Sequence, residues 1–259
     1  MKPFPEPTGL KGVRSVMKFI RRLAARHADT RSERPVAIAC LGDSVTHGVF
    51  DLFVEPNGGF VPHYLPDQCY PARLGRKLNE MYPGAAVTVI NAGISGDGSK
   101  GGLERLERDA LYFRPDVVLV NFGLNDSMNP DPDAGVQAYT RNMTEIFEKI
   151  LASGAEAMLV TPNFMCSYVP AIVTGEKLRG IAAEAAKVQN SGILTRYVEA
   201  ARGAAQRLNI PVADAYRRWE QMRDMGVDTT ALLSNGINHP TVEMHDLFVE
   251  EIIRRGFDA

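Results

Sequence analysis

Val36-Ala37-Ile38-Ala39-Cys40-Leu41-Gly42-Asp43-Ser44 is the stretch that decides the architecture of this chain. Its first six residues are all apolar and present no polar face, as a strand does when helices cover both sides of its sheet. Gly42 lets the backbone turn sharply, which leaves Asp43 and Ser44 at the strand's carboxyl end. In open α/β sheets the ligand crevice lies outside those carboxyl ends. A serine placed there becomes a nucleophile when a base stands beside it and amide donors face the developing oxyanion. Asp43 or Ser44 could equally do no more than cap the next helix. Gly-Asp-Ser alone does not separate the two.

Outward from this strand, apolar runs alternate with segments of helical period, the pattern of a parallel sheet with helices on both faces. Further strands are expected at Ala86–Ile90, Asp116–Phe122, Ala157–Thr161 and Ile210–Asp214. Pro71 opens a helix carrying Tyr70, Leu74, Leu78 and Met81 along one side. Leu103, Leu106, Ala110 and Phe113 mark another, and Tyr139, Met143, Ile146, Phe147 and Ile150 a third. A long helical tract runs from Glu176 to Leu208 with a break near Ser191-Gly192. The last helix follows Pro240 and buries Met244, Leu247, Phe248 and Ile252. Two segments read as irregular: Phe50–Pro66, with three prolines and Gly58-Gly59, and the apolar Phe164–Gly175. Long loops beside strand ends are usually functional, so both are expected on the rim of a pocket.

Residues 10–26 have helical period, with Val13, Val16, Met17, Ile20, Leu23 and Ala24 on one face and basic residues on the others. Such a helix docks its apolar stripe on its own domain or on a second copy, so a homodimer contact is one possible use; a basic face could also touch acidic lipid. Residues 1–34 are therefore expected to form an amphipathic helical extension, and residues 35–259 one α/β domain. The 259 residues are 45% hydrophobic and 23% charged, an ordinary globular composition. A formal net charge of −2 gives no reason to expect a nucleic-acid partner. Cys40, Cys69 and Cys166 are odd in number and lack metal-ligand spacing, which suits a reducing cytosol. No run is long enough for a membrane span, and no apolar segment of a secretory leader follows Lys2, so a cytoplasmic protein is expected.

Three strand-end turns carry polar residues or glycine: Ser44, Gly96 and Asn125. A fourth group, His239, stands in Asn235-Gly236-Ile237-Asn238-His239-Pro240, just ahead of the last helix. Acyl transfer from an ester needs such parts. The hydroxyl attacks, the imidazole takes its proton and returns it to the leaving alcohol, and N–H donors hold the oxyanion. Taken singly, Asn125 could cap a turn, Gly96 could serve a tight bend, and His239 could flank a helix start.

Taken together, Gly42-Asp43-Ser44-Val45, Asn91-Ala92-Gly93-Ile94-Ser95-Gly96-Asp97, Gly123-Leu124-Asn125-Asp126 and His239-Pro240 resemble the four blocks of the SGNH hydrolases, also called the GDSL esterase/lipase family. They stand in family order with family-like spacing, between about Val36 and Phe248. The resemblance implies a flavodoxin-like three-layer α/β/α sandwich on a five-stranded parallel sheet. It implies Ser44 as nucleophile, His239 as base, and an oxyanion hole of Ser44, Gly96 and Asn125. Esters and thioesters would be the small-molecule substrates, among them acetylated sugars, lysophospholipids and short acyl esters, with no metal or organic cofactor.

Two positions depart from the family pattern. Val45 replaces leucine, a conservative packing change. The aspartate that the family places three residues before the histidine is missing, and Gly236 stands there. Asn235 could take the slot through its side-chain oxygen, Asp228 could reach in from upstream, a backbone carbonyl could serve, or the pair could work as a dyad. His47 lies near Ser44 in sequence but on a turn that aims its ring elsewhere, and His245 is expected at the surface or core edge. A competing class is nucleotide binding, because Gly96-Asp97-Gly98-Ser99-Lys100-Gly101 fits GxGxxG after a strand. The acidic residue that should end the next strand is absent, since Asn121-Phe122 stands there.

Overall fold

The computed structural model describes residues 16–258. Helix α1 (Lys18–Ala28) precedes strand β1 (Ala37–Gly42), and the short helix α2 (Ser44–His47) follows it. A hairpin of β2 (Val49–Val54) and β3 (Phe60–Tyr64), then α3 (Tyr70–Met81), lead to β4 (Thr88–Gly93). The alternation continues through α4 (Ser99–Asp109), β5 (Val117–Asn121), α5 (Pro132–Ala152) and β6 (Glu156–Val160). The helices α6 (Glu176–Asn190) and α7 (Ile193–Arg207), strand β7 (Val212–Ala213), and α8 (Ala215–Asp224) and α9 (His245–Phe257) complete it.

The five-stranded sheet has the order β4-β1-β5-β6-β7, and every pair in it is parallel. Counted along this sheet alone, that is the 2-1-3-4-5 order of flavodoxin-like folds. Side chains alternate between two cores because successive strand residues face opposite ways. Ile38, Cys40, Val117, Leu119, Met158 and Val160 face a layer containing Tyr70, Leu74, Trp219 and Phe248. Ala39, Leu41, Val118, Val120, Ala157 and Leu159 face Tyr139, Met143, Ile146, Phe147 and Tyr197. Both faces of the central strands β1, β5 and β6 are thus dry, which is why β1 reads as an unbroken apolar run. The result is the three-layer α/β/α sandwich.

The order of strands reverses between β1 and β5, so their carboxyl ends open the crevice. Gly42 lies opposite Gly93 on one side and Asn121 on the other. A Cβ on Gly42 would overlap the Thr46 hydroxyl, so only glycine lets α2 fold down over the strand ends.

Three sequence readings change. The segment Phe50–Pro66 is a β-hairpin for most of its length, with strands Val49–Val54 and Phe60–Tyr64. The β-formers on both sides outweigh its prolines, and Pro62 is tolerated because a two-stranded ribbon consists only of edges. The strand expected at Ala86–Ile90 begins two residues later and runs on to Gly93, where Asn91 and Gly93 keep pairing with β1. His245 is fully buried instead of lying at the core edge: its Nδ1 accepts from Tyr70 N–H at 3.0 Å, and Phe50 packs on its ring. That contact satisfies an amide at the start of α3 that has no partner within the helix.

Phe19, Ile20 and Leu23 of α1 are buried, with Phe19 and Ile20 packing over Gly256 of α9. The Glu156 carboxylate accepts from Lys18 N–H and Phe19 N–H, both at 2.8 Å, which caps the helix at the amino end of β6. The part of the expected helix at residues 10–15 lies outside the described residues.

Candidate active site

Ser44 occupies the first position of α2, where backbone N–H groups have no acceptor within the helix. Asp43 caps this turn, its Oδ1 accepting from Val45 N–H at 3.0 Å. The helix-cap reading therefore holds for Asp43, while Ser44 keeps its hydroxyl for another partner. That partner is the imidazole of His239, whose Nε2 lies 2.8 Å from Ser44 Oγ across 195 residues of chain.

His239 is presented by a tight loop. Leu233 and Pro240 form an antiparallel bridge, and Ser234 N–H donates to the His239 carbonyl at 2.7 Å. At the tip, Asn235 Oδ1 accepts from the backbone N–H groups of Ile237, Asn238 and His239 at 2.9, 3.0 and 3.0 Å. These bonds fix the orientation of the amide. Its Nδ2, not its oxygen, therefore lies 3.1 Å from His239 Nδ1. Asn235 does reach the histidine as the spacing suggested, but with the opposite polarity to the expected acceptor.

Gly236, three residues before His239, has φ +64°, and a Cβ there would lie 2.8 Å from Pro170 Cγ. A side chain there would be strained at that φ and would press on Pro170 and Ile172, so the position suits glycine. Asp228 is engaged elsewhere: its carboxylate accepts from the Tyr168 hydroxyl at 2.6 Å and from Thr230 N–H at 3.0 Å. Among the described residues no carboxylate bonds the His239 ring. Burial pushes the His239 pKa down to about 4, opposed by the Phe50 carbonyl that faces the ring and by the charge of Asp51. The imidazole is accordingly neutral at pH 7, and it can take the Ser44 proton on Nε2 in the tautomer whose own proton is on Nδ1.

The other two strand-end loops meet each other. Gly96 has φ +79°, and open space surrounds the position a Cβ would take. Asn125 Nδ2 donates to the Asp97 carbonyl at 2.7 Å, which holds its amide next to Gly96. Behind them lies a buried guanidinium. Arg105 donates to the carbonyls of Ala92 and Gly42 at 2.6 and 2.8 Å and pairs with Asp97 at 2.7 Å. One side chain from α4 thereby ties the ends of β1 and β4 to the Gly96 loop.

Carboxylates crowd the floor. Burial raises the Asp43 pKa to about 7, with smaller contributions from Asp126 and Asp97. Asp126 is raised by burial too, and its Oδ1 accepts from Ser99 N–H and Oγ at 2.9 and 2.6 Å. The amino terminus of α4 is thus already occupied by a carboxylate, which leaves the GxGxxG segment poorly suited to a pyrophosphate.

His47 does aim elsewhere: its Nδ1 accepts from Ser95 N–H at 3.2 Å and its ring packs on Tyr64. Two residues of this region escaped the sequence reading. Arg105 left one signal, a charge set between Leu103 and Leu106 on a helix that buries its leucines. Asp51 left none beyond lying in the segment read as a pocket rim. Of the loop Phe164–Gly175, Ile172–Gly175 line a cavity with Asp51, Ser234 and Asn235, whereas Phe164, Met165 and Cys166 are core.

Comparison with known proteins agrees with this fold. A sequence model of the GDSL-like lipase/acylhydrolase family matches residues 40–247. An arylesterase of Vibrio mimicus is 31% identical over 141 residues, which cover 53% of this chain and 62% of that protein. The chain spans less than two thirds of the length of each of the curated relatives it matches here. Among solved structures, a lipase/acylhydrolase from Enterococcus faecalis has a TM-score of 0.61 at 24% identity, covering 85% of this chain and 96% of that one. Axe2, an acetylxylan esterase from Geobacillus stearothermophilus, has a TM-score of 0.62 at 18% identity, covering 85% and 94%. At these identities the two structures speak to the fold.

Proposed function

Since this chain belongs to the GDSL-like lipase/acylhydrolase family, we propose that it hydrolyses carboxylic esters through an acyl-enzyme on Ser44. The 2.8 Å contact between Ser44 Oγ and His239 Nε2 carries the reading. His239 takes the Ser44 proton as Oγ bonds to the acyl carbon, and the carbonyl π pair moves onto its oxygen. The N–H groups of Ser44 and Gly96 and the Asn125 amide stabilise that oxyanion. Its collapse expels the alcohol, which takes the proton from Nε2; water then repeats the sequence and frees the acid.

Small acyl groups, acetyl first, fit best. The cavity of ≈ 520 Å³ beside Asn235 mixes Asp51, Glu176, Lys177 and Ser234 with Phe53 and Ile172, a lining for a polar alcohol such as a sugar more than for a long chain. The acetylxylan esterase of the same fold points the same way. The three cysteines are unpaired and buried, which supports a reducing, cytoplasmic setting. Among the described residues no helix is long and apolar enough to cross a membrane.

One observation favours a second reading, an acyl-ligand-binding relative without turnover: Asn235 directs an N–H group, not an acceptor, at His239 Nδ1. Turnover of p-nitrophenyl esters graded by chain length separates the two. We expect hydrolysis that is fastest for acetate and falls by at least about 10³-fold in Ser44→Ala, the scale lost when a triad nucleophile is removed. No burst and no turnover at any chain length would remove the esterase reading, and a preference for long chains would overturn the acetyl assignment.

A further inference from the structure

Forming an imidazolium in a dry site requires compensating charge, and the usual source is absent here. Gly236 fills the aspartate position, and Asn235 offers its NH₂. A carboxylate does approach from another element. Strand β2 leaves α2 just after Gly48 and carries Phe50 and Asp51 alongside the His239 loop. Asp51 Oδ1 accepts from Ser234 Oγ at 3.3 Å, and Ser234 N–H in turn donates to the carbonyl of His239 at 2.7 Å. Asp51, Ser234 and Asn235 line one cavity.

We propose that Asp51, on the hairpin β2–β3, is the positioning carboxylate of His239: held by Ser234, which also bonds the His239 backbone, it supplies the negative charge that the catalytic loop lacks. The inference rests on His239 being the base of the reaction proposed above. Asp51 acts across space and through its neighbours and touches no reacting atom. The titratable and polar groups recorded around His239 and Asp51 fit this account. Ser44 from α2 and Asn235 from the loop are neutral, and burial pushes the His245 pKa down to about 3, so it adds no positive charge at pH 7. His63 of β3 lies 3.6 Å from Asp51 on its far carboxylate oxygen. The Asp51 side chain is 37% exposed, so water screens its field. Its effect is therefore about tenfold on rate, well short of the effect of a directly bonded triad aspartate.

The test compares wild type, Asp51→Asn and Asp51→Glu in two ways. In kcat and KM for p-nitrophenyl acetate, Asp51→Asn should lower kcat about tenfold with KM within about twofold, and Asp51→Glu should keep kcat within about threefold. The acid limb of kcat/KM should also move down in Asp51→Asn, because a histidine without the nearby anion protonates at lower pH. Independently of turnover, imidazole NMR of His239 should show the same downward pKa shift. That reading keeps the proposal open to refutation even if the protein hydrolyses nothing. An unmoved His239 titration in Asp51→Asn overturns it, as does an Asp51→Asn enzyme with wild-type kcat. Absent turnover in wild type with a shifted titration would instead count against the esterase reading alone.

Discussion

Asn235 decides the chemistry of His239 through the three amides it caps. An oxygen already accepting from Ile237, Asn238 and His239 cannot turn to the imidazole, so the side chain must present nitrogen. Replacing it with aspartate keeps the caps and puts an oxygen where Nδ2 now stands, once the Asn238 amide turns to donate. Asn235→Asp is therefore expected to raise kcat by about tenfold or more, since a carboxylate on Nδ1–H both selects the productive tautomer and stabilises the imidazolium. The pH profile should follow. Wild type needs neutral His239, whose pKa is depressed to about 4, so activity persists well below pH 6.5. In Asn235→Asp the limb moves up, which a kcat/KM series from pH 3.5 to 8 would reveal. An unchanged profile would mean that the amide is not what faces the ring.

At the scale of elements, the site is a junction of strand ends, and Arg105 of α4 is its clamp. It is buried at 7% exposure, joins β1 and β4 through two carbonyls, and neutralises Asp97. Removing one partner of such a pair leaves an uncompensated charge and two unsatisfied carbonyls. Arg105→Met should destabilise the fold by about 3–5 kcal/mol in urea titration. It should also lower kcat in whatever remains folded, because the Gly96 loop loses its tie to the nucleophile strand. The helices of the sheet layers were legible in the sequence because the 3.6-residue period survives burial on one side. The hairpin was not, because prolines and glycines masked strands whose partners are only each other.

At the scale of the whole molecule, the buried groups His239, His245 and Asp43 titrate in opposite senses. His239 and His245 have folded pKa values of about 4 and about 3, below the unfolded value of about 6.5. As pH falls below 6.5 the unfolded chain binds protons that the folded one refuses, so these two lower stability down to those values. Asp43 is raised to about 7, above the unfolded value of about 3.9, so the folded chain binds the extra proton between pH 7 and 4 and this group opposes the loss. Asp43→Asn removes the opposing contribution. The difference in urea midpoint between variant and wild type should grow in favour of the variant from pH 5 to pH 8. A difference that stays flat with pH would show that Asp43 is not buried as a charge at high pH.

The sequence by itself determined the parallel sheet, its helical layers and the strand ends on which Ser44, Gly96 and Asn125 stand, because these follow from side-chain period and local turn chemistry. It also pointed to His239, through the resemblance of four blocks standing in order along the chain to those of the SGNH hydrolases. What faces the imidazole was decided by the tertiary structure alone. The polarity of Asn235 depends on which backbone amides its loop turns inward, the burial of His245 on a contact with Tyr70, and the approach of Asp51 on how a hairpin folds over a loop more than 180 residues away in the chain. No periodicity along a chain records such meetings, because they are set by how whole layers pack.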